Sequence, residues 1–144
     1  MKKILFAFAM LIMTVLSVSA HQINNYKYIF IQHQEDAPKD IESRMEKEFS
    51  SLGFTVLSSD EFAQLPSSEQ SLVLNAEYRC RQSAQCLFHI WLKNTNGEEV
   101  YEDEQVAAGG FMTKKNDRQS ALKKIFKEIK KLNYQFEGDK APSE

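Results

Sequence analysis

The sequence contains few of the residues that break or cross-link a fold. Its 144 residues include 5 Gly, 3 Pro and 2 Cys, while 42% are hydrophobic and 26% are charged. So few glycines and prolines exclude a collagen-like or low-complexity chain, and two cysteines exclude a small disulfide-dense scaffold. The balance of apolar and charged residues is typical of a globular protein. The length limits it to one domain with a sizeable core.

Catalytic motifs are also absent. The sequence has no Gly-x-Ser-x-Gly, no His-Glu-x-x-His, no phosphate loop and no dinucleotide-binding fingerprint. His33 lies beside acidic residues just beyond the first predicted strand, and His89 shares a strand with Trp91. We therefore expect no catalysis, no cofactor and no metal. The alternative is a small periplasmic hydrolase, or a carrier of a ligand or metal, that uses His33 or His89.

The first 20 residues have the pattern of an export signal. Lys2 and Lys3 precede an apolar run, and Val18 and Ala20 occupy the positions that a signal peptidase recognises. The alternative to cleavage is an uncleaved membrane anchor. The apolar stretch is about 17 residues long, at the lower limit for a membrane-spanning helix. We expect cleavage after Ala20 and a periplasmic or secreted protein. The domain would then span 21–134, followed by a polar tail over 135–144.

Export decides how the two cysteines are interpreted. In an oxidising compartment, a disulfide is the default state of Cys80 and Cys86. Their spacing differs from the Cys-x-x-Cys of thioredoxin-like sites, and no second pair of ligands lies nearby to complete a zinc site. The sequence therefore predicts a disulfide between Cys80 and Cys86, which would sit opposite each other at the closing end of a hairpin. The alternative is a pair of free thiols.

The first half of the chain predicts a strand, a helix and a second strand. Aromatic and β-branched residues over 26–32 indicate the first strand, and 54–58 the second. Between them, four apolar residues recur at helical spacing: Ile41, Met45, Phe49 and Leu52. Asp36 is the expected cap of this helix and Gly53 its stop. A unit of this kind makes the two strands parallel.

The second half predicts a meander and a closing helix. Alternation indicates strands over 71–80, 86–94 and 98–107, and Asn96-Gly97 is a strong hairpin signal. Asn116 or Asp117 is expected to start the closing helix. One stripe of this helix is apolar: Ala121, Leu122, Ile125, Phe126, Ile129 and Leu132. The order β-α-β-β-β-α predicts an α+β two-layer sandwich, in which a mixed sheet carries both helices on one face.

Three segments are similar to parts of known proteins: YKYIFIQ at 26–32, FSSLGFTV at 49–56 and SLVLNAEY at 71–78. With the element order and the word Leu52-Gly53-Phe54, they make residues 26–132 resemble small bacterial envelope modules. These include the amino-terminal domain of the Tol translocation protein, lipoprotein activators of penicillin-binding proteins, the curli-secretion lipoprotein and uncharacterised Bacteroidetes envelope lipoproteins. The resemblance implies a non-enzymatic envelope role through protein contacts. Many of these proteins are lipid-anchored, whereas no cysteine follows the leader here.

Charge is unevenly distributed along the chain. Without the leader, 16 basic and 20 acidic residues give a net charge of −4. The segment 114–131 holds eight of these bases and two of the acids, so the rest of the chain is net −10. The helical lysines are Lys123, Lys124, Lys127, Lys130 and Lys131. Such a face is either simply solvated or contacts an anionic envelope surface, and export makes nucleic acid a poor partner.

With both helices on one face, the opposite face of the sheet is expected to be rich in aromatic residues. The expected patch consists of Leu87, His89, Trp91 and Tyr101, with Tyr26, Tyr28 and Phe30 of the first strand. An exposed patch of this kind indicates a protein partner, a ligand groove or a second copy of the chain. The alternative is that the sheet twists and that the connection over 59–70 or the polar tail covers the patch. The acidic run over 98–104 is predicted to be a solvated edge strand.

The sequence thus predicts an exported binding or adaptor module of the cell envelope. It would act through protein contacts or self-association, with the sheet face around Trp91 as the contact surface.

Overall fold

The computed structural model describes residues 22–107 and 114–139. Their elements are β1 (Tyr28–Ile31), α1 (Lys39–Leu52), β2 (Thr55–Leu57), α2 (Ser59–Gln64), α3 (Ser67–Gln70), β3 (Val73–Gln82), β4 (Cys86–Lys93), β5 (Glu99–Ala107), α4 (Lys114–Lys130) and a 3-10 turn (Glu137–Asp139). The predicted leader, with its cleavage site after Ala20, lies outside the described residues. So does the end of the predicted tail, from residue 140 onward.

The five strands form one mixed sheet in the order β2-β1-β3-β4-β5. β1 is parallel to both β2 and β3, while β3, β4 and β5 form an antiparallel meander. The buried faces of α1 and α4 share a single hydrophobic cluster with one face of this sheet, which we call the main core. The predicted α+β class, with a mixed sheet and both long helices on one face, is confirmed.

α1 follows from its apolar spacing and from its stop at Gly53. Ile41, Met45 and Phe49 are buried, and Gly53 has φ +109°, a left-handed conformation that glycine adopts without a steric penalty. The helix begins at Lys39, after Pro38, without a side-chain cap. The expectation that Asp36 caps it is wrong, because the proline ring fixes the chain at the helix entry two residues later.

α4 buries the predicted apolar stripe and joins α1 through aromatic contacts. The ring of Phe126 meets that of Phe49 edge-on, with centroids 4.9 Å apart, and both side chains are almost fully buried. The helix already includes Lys114, ahead of the Asn116 or Asp117 start that the sequence indicated. This contact ties the two helices together above the sheet.

A second hydrophobic cluster lies on the other face of the sheet, beneath the connection between β2 and β3. It comprises Tyr28, Leu57 and Val73, with Phe30, Phe62, Leu65 and Leu72 packed against them. Ser58 and Glu61 start α2 with a reciprocal capping box, and Phe62 of that helix stacks on Phe30 at 4.7 Å. Tyr28 and Phe30 therefore do not join an exposed patch with Trp91. Tyr26 packs against the main core instead.

The end of the described chain packs against its beginning. The ring of Tyr134 stacks on Phe54 at 3.7 Å, and its hydroxyl donates to the backbone oxygen of Tyr26. The backbone N–H groups of Gln135 and Glu137 donate to Asn24. The first residues of the predicted polar tail are thus part of the fold.

β5 is the outer strand of the meander among the described strands. Its exposed acids Glu102 and Glu104 alternate with partly buried residues, and the Lys124 ammonium donates a hydrogen bond to the Val106 backbone oxygen at 2.8 Å. A lysine on an edge carbonyl occupies an acceptor that another strand could otherwise use.

Candidate functional site

The uncovered part of the sheet is a grid of nine side chains from β3, β4 and β5, all pointing away from α1 and α4. We call this grid the open face. Strand register arranges it in three rows: Glu77, Trp91 and Glu102; then Arg79, His89 and Glu104; then Arg81, Leu87 and Val106. The alternate residues of β4 are fully buried on the helix side. Alternation along β4 thus places Leu87, His89 and Trp91 together, as the sequence predicted.

His89 occupies the centre of the open face and is held from both sides of its ring. Nε2 lies 2.7 Å from Glu102 Oε1, and Nδ1 lies 3.0 Å from Glu104 Oε2. The imidazole side chain is 19% exposed, whereas each carboxylate side chain is about half exposed. The two acids of β5 therefore fix the orientation of the ring while remaining accessible themselves.

Trp91 is half-buried and lies in a polar frame. Its indole stacks on the His89 ring at 3.8 Å, and the Arg79 guanidinium lies 6.0 Å from its centroid. On the same face, the Lys93 ammonium bonds the Glu77 carboxylate at 2.8 Å, and this hydrogen bond raises the pKa of Lys93. The open face is thus an aromatic centre between charged strands, more polar than the apolar patch expected from the sequence.

Tyr101 does not belong to the open face, which corrects the expectation that it joins Trp91. A bulge between β4 and β5 places an extra residue, Val100, after the pair Lys93 and Glu99, so Tyr101 pairs with Leu92. Shifting a strand by one residue moves its side chains to the opposite face. Tyr101 packs against the main core, and burial raises the pKa of its hydroxyl.

A shallow groove of about 570 Å³ adjoins the open face at the carboxyl end of β1. Its lining includes the amides of Gln32 and Gln34, the charged side chains of Glu77 and Lys93, and Trp91. The groove extends the accessible surface from the aromatic centre toward the loop that holds His33.

His33 belongs to a different network, centred on Glu42 of α1. His33 Nδ1 lies 3.0 Å from Glu42 Oε2, while the Gln34 N–H and the Tyr78 hydroxyl donate to Glu42 Oε1 at 3.0 and 2.8 Å. Burial opposes ionisation of Glu42, but these hydrogen bonds outweigh it and lower its pKa. Bonding to Glu42 raises the pKa of His33, whose side chain is 70% exposed. The network ties the β1 loop to α1 and β3.

Neither histidine is part of an assembled catalytic arrangement in the described part of the chain. The hydrogen bonds of both rings go to carboxylates, and no hydroxyl or thiol bonds them among residues 22–107 and 114–139. Nucleophilic catalysis needs a base in contact with the group that it deprotonates. Within the same ranges, no group of three or more His, Cys, Asp or Glu side chains could hold a metal ion.

Cys80 and Cys86 lie on the helix side of the sheet with their sulfur atoms 3.6 Å apart, as free thiols. Cys80 pairs with Phe88 and Cys86 with Gln82, so the cysteines are diagonal neighbours. The expectation from the sequence that the two cysteines sit directly opposite each other is therefore wrong. Burial, and then the hydrogen bond with Cys86, raises the pKa of Cys80 to about 12. Burial also raises the pKa of Cys86. Both sulfurs therefore stay protonated and poorly nucleophilic while they are thiols.

The partners of the two histidines could not be read from the sequence. Glu42 is nine residues from His33, and Glu102 and Glu104 come from another strand than His89. The only signal in the sequence for the partners of His89 was the acidic run of β5. This strand is an edge strand, as predicted, but its register with β4 depends on the bulge.

No family model matches the chain, and a search of curated proteins finds no match either. Within the described residues, no helix has the length and apolar character needed to cross a membrane.

Proposed function

We propose that this chain is an exported cell-envelope binding module that contacts a protein partner through the open face and carries out no reaction there. The observation that supports this is the stacked pair of His89 and Trp91, which no described element covers. Partly exposed tryptophan, framed by arginine and acidic side chains, is typical of protein contact sites. The export pattern before residue 21, and the resemblance to envelope modules, support the compartment.

The middle row of the open face is complementary to the same row of a second copy of the chain, which favours a second copy as the occupant. The β3 column has Glu77, Arg79 and Arg81, the β5 column has Glu102, Glu104 and Val106, and the aromatic β4 column lies between them. A two-fold axis parallel to β4 would place the β3 column of one copy over the β5 column of the other. Arg79 would then face Glu104 across the interface and the aromatic columns would meet, whereas Arg81 would face Val106 and Glu77 would face Glu102.

The first test removes the aromatic centre. Trp91→Ala and His89→Ala should each abolish the dimer mass in sedimentation equilibrium and the capture of envelope proteins by cross-linking. Phe62→Ala serves as the control, because Phe62 lies on the same side of the sheet but within the covered cluster. If the folded Trp91→Ala protein keeps both its mass and its cross-linked partners, the open face is not the contact surface.

The second test separates a second copy from a different partner. Arg79→Glu alone and Glu104→Arg alone should each weaken self-association, because each places like charges opposite one another. The combined variant should restore it, since the charges are exchanged but remain complementary. A chain that is monomeric at every concentration, yet loses a captured protein in Trp91→Ala, would show that the partner is another protein.

A further inference from the structure

The exposed face of α4 is a lysine stripe on the opposite side of the sandwich from the open face. Five lysines form the stripe, four along α4 and one directly after its last residue: Lys123, Lys124, Lys127, Lys130 and Lys131. All five are exposed, whereas Ala121, Leu122 and Ile125, which point the other way, are fully buried. The helix therefore presents one side to the core and one strongly basic side to solvent.

Neighbouring carboxylates neutralise only part of this charge. Lys130 lies 3.4 Å from Glu48 of α1, and Lys131 lies 2.8 Å from Glu128. Asp117, the other acid of α4, is buried at 6% exposure. Across the described residues, no carboxylate lies within 4.0 Å of Lys123 or Lys127. The centre of the stripe thus has two uncompensated cations.

The adjoining surface of α1 adds to the same charge. A shallow depression between the helices is lined by Arg44 and Lys123, together with Asn116, Gln119 and Ser120. A second depression is lined by Lys47 and Lys115; of the two acids there, Asp40 is bonded to Arg118 and Glu48 to Arg44. α1 as a whole carries three bases and four acids, so the basic surface is that of α4, with Arg44 and Lys47 of α1 at its edge.

We infer that this helix layer docks on a bilayer surface of anionic lipid headgroups. The charge is spread along the exposed side of α4, as contact with a planar anionic surface requires. The layer also lacks the apolar anchor of a protein interface. In the described ranges, Val106 of β5 is the only large hydrophobic side chain that is exposed, and it lies on the open face. An acidic protein is therefore the less suitable partner.

Docking through the helix layer would leave the open face directed away from the membrane. Because the two surfaces lie on opposite sides of the sandwich, this inference is independent of the proposed protein contact. Each can fail without the other.

The test measures vesicle binding of residues 21–144, the form left by the predicted cleavage, which keeps every described strand and helix. Vesicles of phosphatidylcholine with about one third phosphatidylglycerol should bind the protein at low salt, and vesicles of phosphatidylcholine alone should not. Raising the salt to about 0.5 M should release it, because exposed charges are then screened.

Two matched double variants locate the surface. Lys123→Gln with Lys127→Gln should lower the partition coefficient at least about tenfold. Arg79→Gln with Arg81→Gln removes the same charge from the open face and should change the coefficient less than about twofold, with both pairs made in the Trp91→Ala protein so that the proposed open-face contact is absent from each. Circular dichroism checks that both variants are folded.

Three results would overturn the inference. They are equal binding to neutral and anionic vesicles, equal losses in the two double variants, and no binding to anionic vesicles at low salt. Retention of the protein on an immobilised acidic polypeptide, without vesicle binding, would identify an acidic protein as the partner instead.

Discussion

His89 lies flat against Trp91, with ring centroids 3.8 Å apart and planes inclined by 19°. Since Glu102 and Glu104 hold the two ring nitrogens, the imidazole cannot turn away from the indole without breaking a hydrogen bond. A stacked pair of this kind contributes about 0.5–1.5 kcal/mol beyond the area that it buries. The centre of the open face is therefore pre-organised for contact.

The stack should be visible in fluorescence, because Trp91 is the only tryptophan of the chain. An imidazole in contact with an indole quenches its emission, so His89→Ala should raise the emission intensity of the folded protein. His33→Ala is the matched control, since His33 lies in the Glu42 network. Equal intensities in wild type and His89→Ala, measured at the same pH, would show that the stack does not persist in solution.

The Glu42 network predicts a pH-dependent contribution to stability. Glu42→Gln should lower the free energy of unfolding by about 1–2 kcal/mol near neutral pH, because three donors lose an ionised acceptor. The folded-state pKa of Glu42 lies below its ordinary value of 4.5, so its contribution is complete above pH 4.5 and is lost as the pH falls through the folded value. Urea unfolding at several pH values measures this.

His33, the partner of Glu42, sets the upper pH limit of this contribution to stability. The folded-state pKa of His33 lies above 6.5, so the contribution of its charge is complete below pH 6.5 and is lost as the pH rises through the raised value. The gap between wild type and Glu42→Gln should therefore be largest between pH 4.5 and 6.5. Glu46→Gln, an exposed change on the same helix, should show a pH-independent difference near zero.

The two hydrophobic clusters should differ in their contribution to stability. Phe49→Ala empties a fully buried site in contact with Phe126 and Phe54, so it should cost about 3–5 kcal/mol. Phe62→Ala acts on a half-buried ring that stacks on Phe30, and we expect a loss of about 1–2 kcal/mol. Chemical denaturation compares the two, and a larger loss for Phe62→Ala would contradict this division of the core.

If the chain is exported as we propose, the cysteine pair should form a disulfide in the oxidising compartment. The sulfurs are 3.6 Å apart, so closing a bond of about 2.05 Å needs an approach of only about 1.5 Å. Oxidation removes two hydrogens and transfers two electrons to a disulfide-bearing oxidase. Intact mass spectrometry should show a loss of about 2 Da relative to the reduced protein. Labelling of both cysteines by a thiol reagent in unfolded, unreduced protein would exclude the bond.

The helical spacing of apolar residues and the alternation of residues along strands were sufficient to predict the layers of this fold from its sequence. The spacing of Ile41, Met45 and Phe49 predicts α1, and alternation along β4 places His89 and Trp91 on one side. Such patterns are local, since each depends on residues within one element. The fold class and the centre of the open face therefore needed no long-range information.

Cross-strand details could not be predicted in the same way. The Asn96-Gly97 turn alone would pair Trp91 with Tyr101, but the bulge at Val100 pairs Trp91 with Glu102 instead. The cover that α2 places on Tyr28 depends on how the chain after β2 folds back over the sheet. Register and the packing of connections are set by tertiary contacts, which a single sequence does not display.

The hydrogen bond from Lys124 to the Val106 carbonyl affects how this protein behaves at high concentration. An uncovered outer strand is where sheets of separate molecules can join edge to edge and grow into fibres. In β5, the Val106 carbonyl already accepts a hydrogen bond from the Lys124 ammonium group. The carboxylates of β5 also repel an identical strand. We therefore expect Lys124 to protect the molecule against fibril formation, and its loss to shorten the lag time of aggregation.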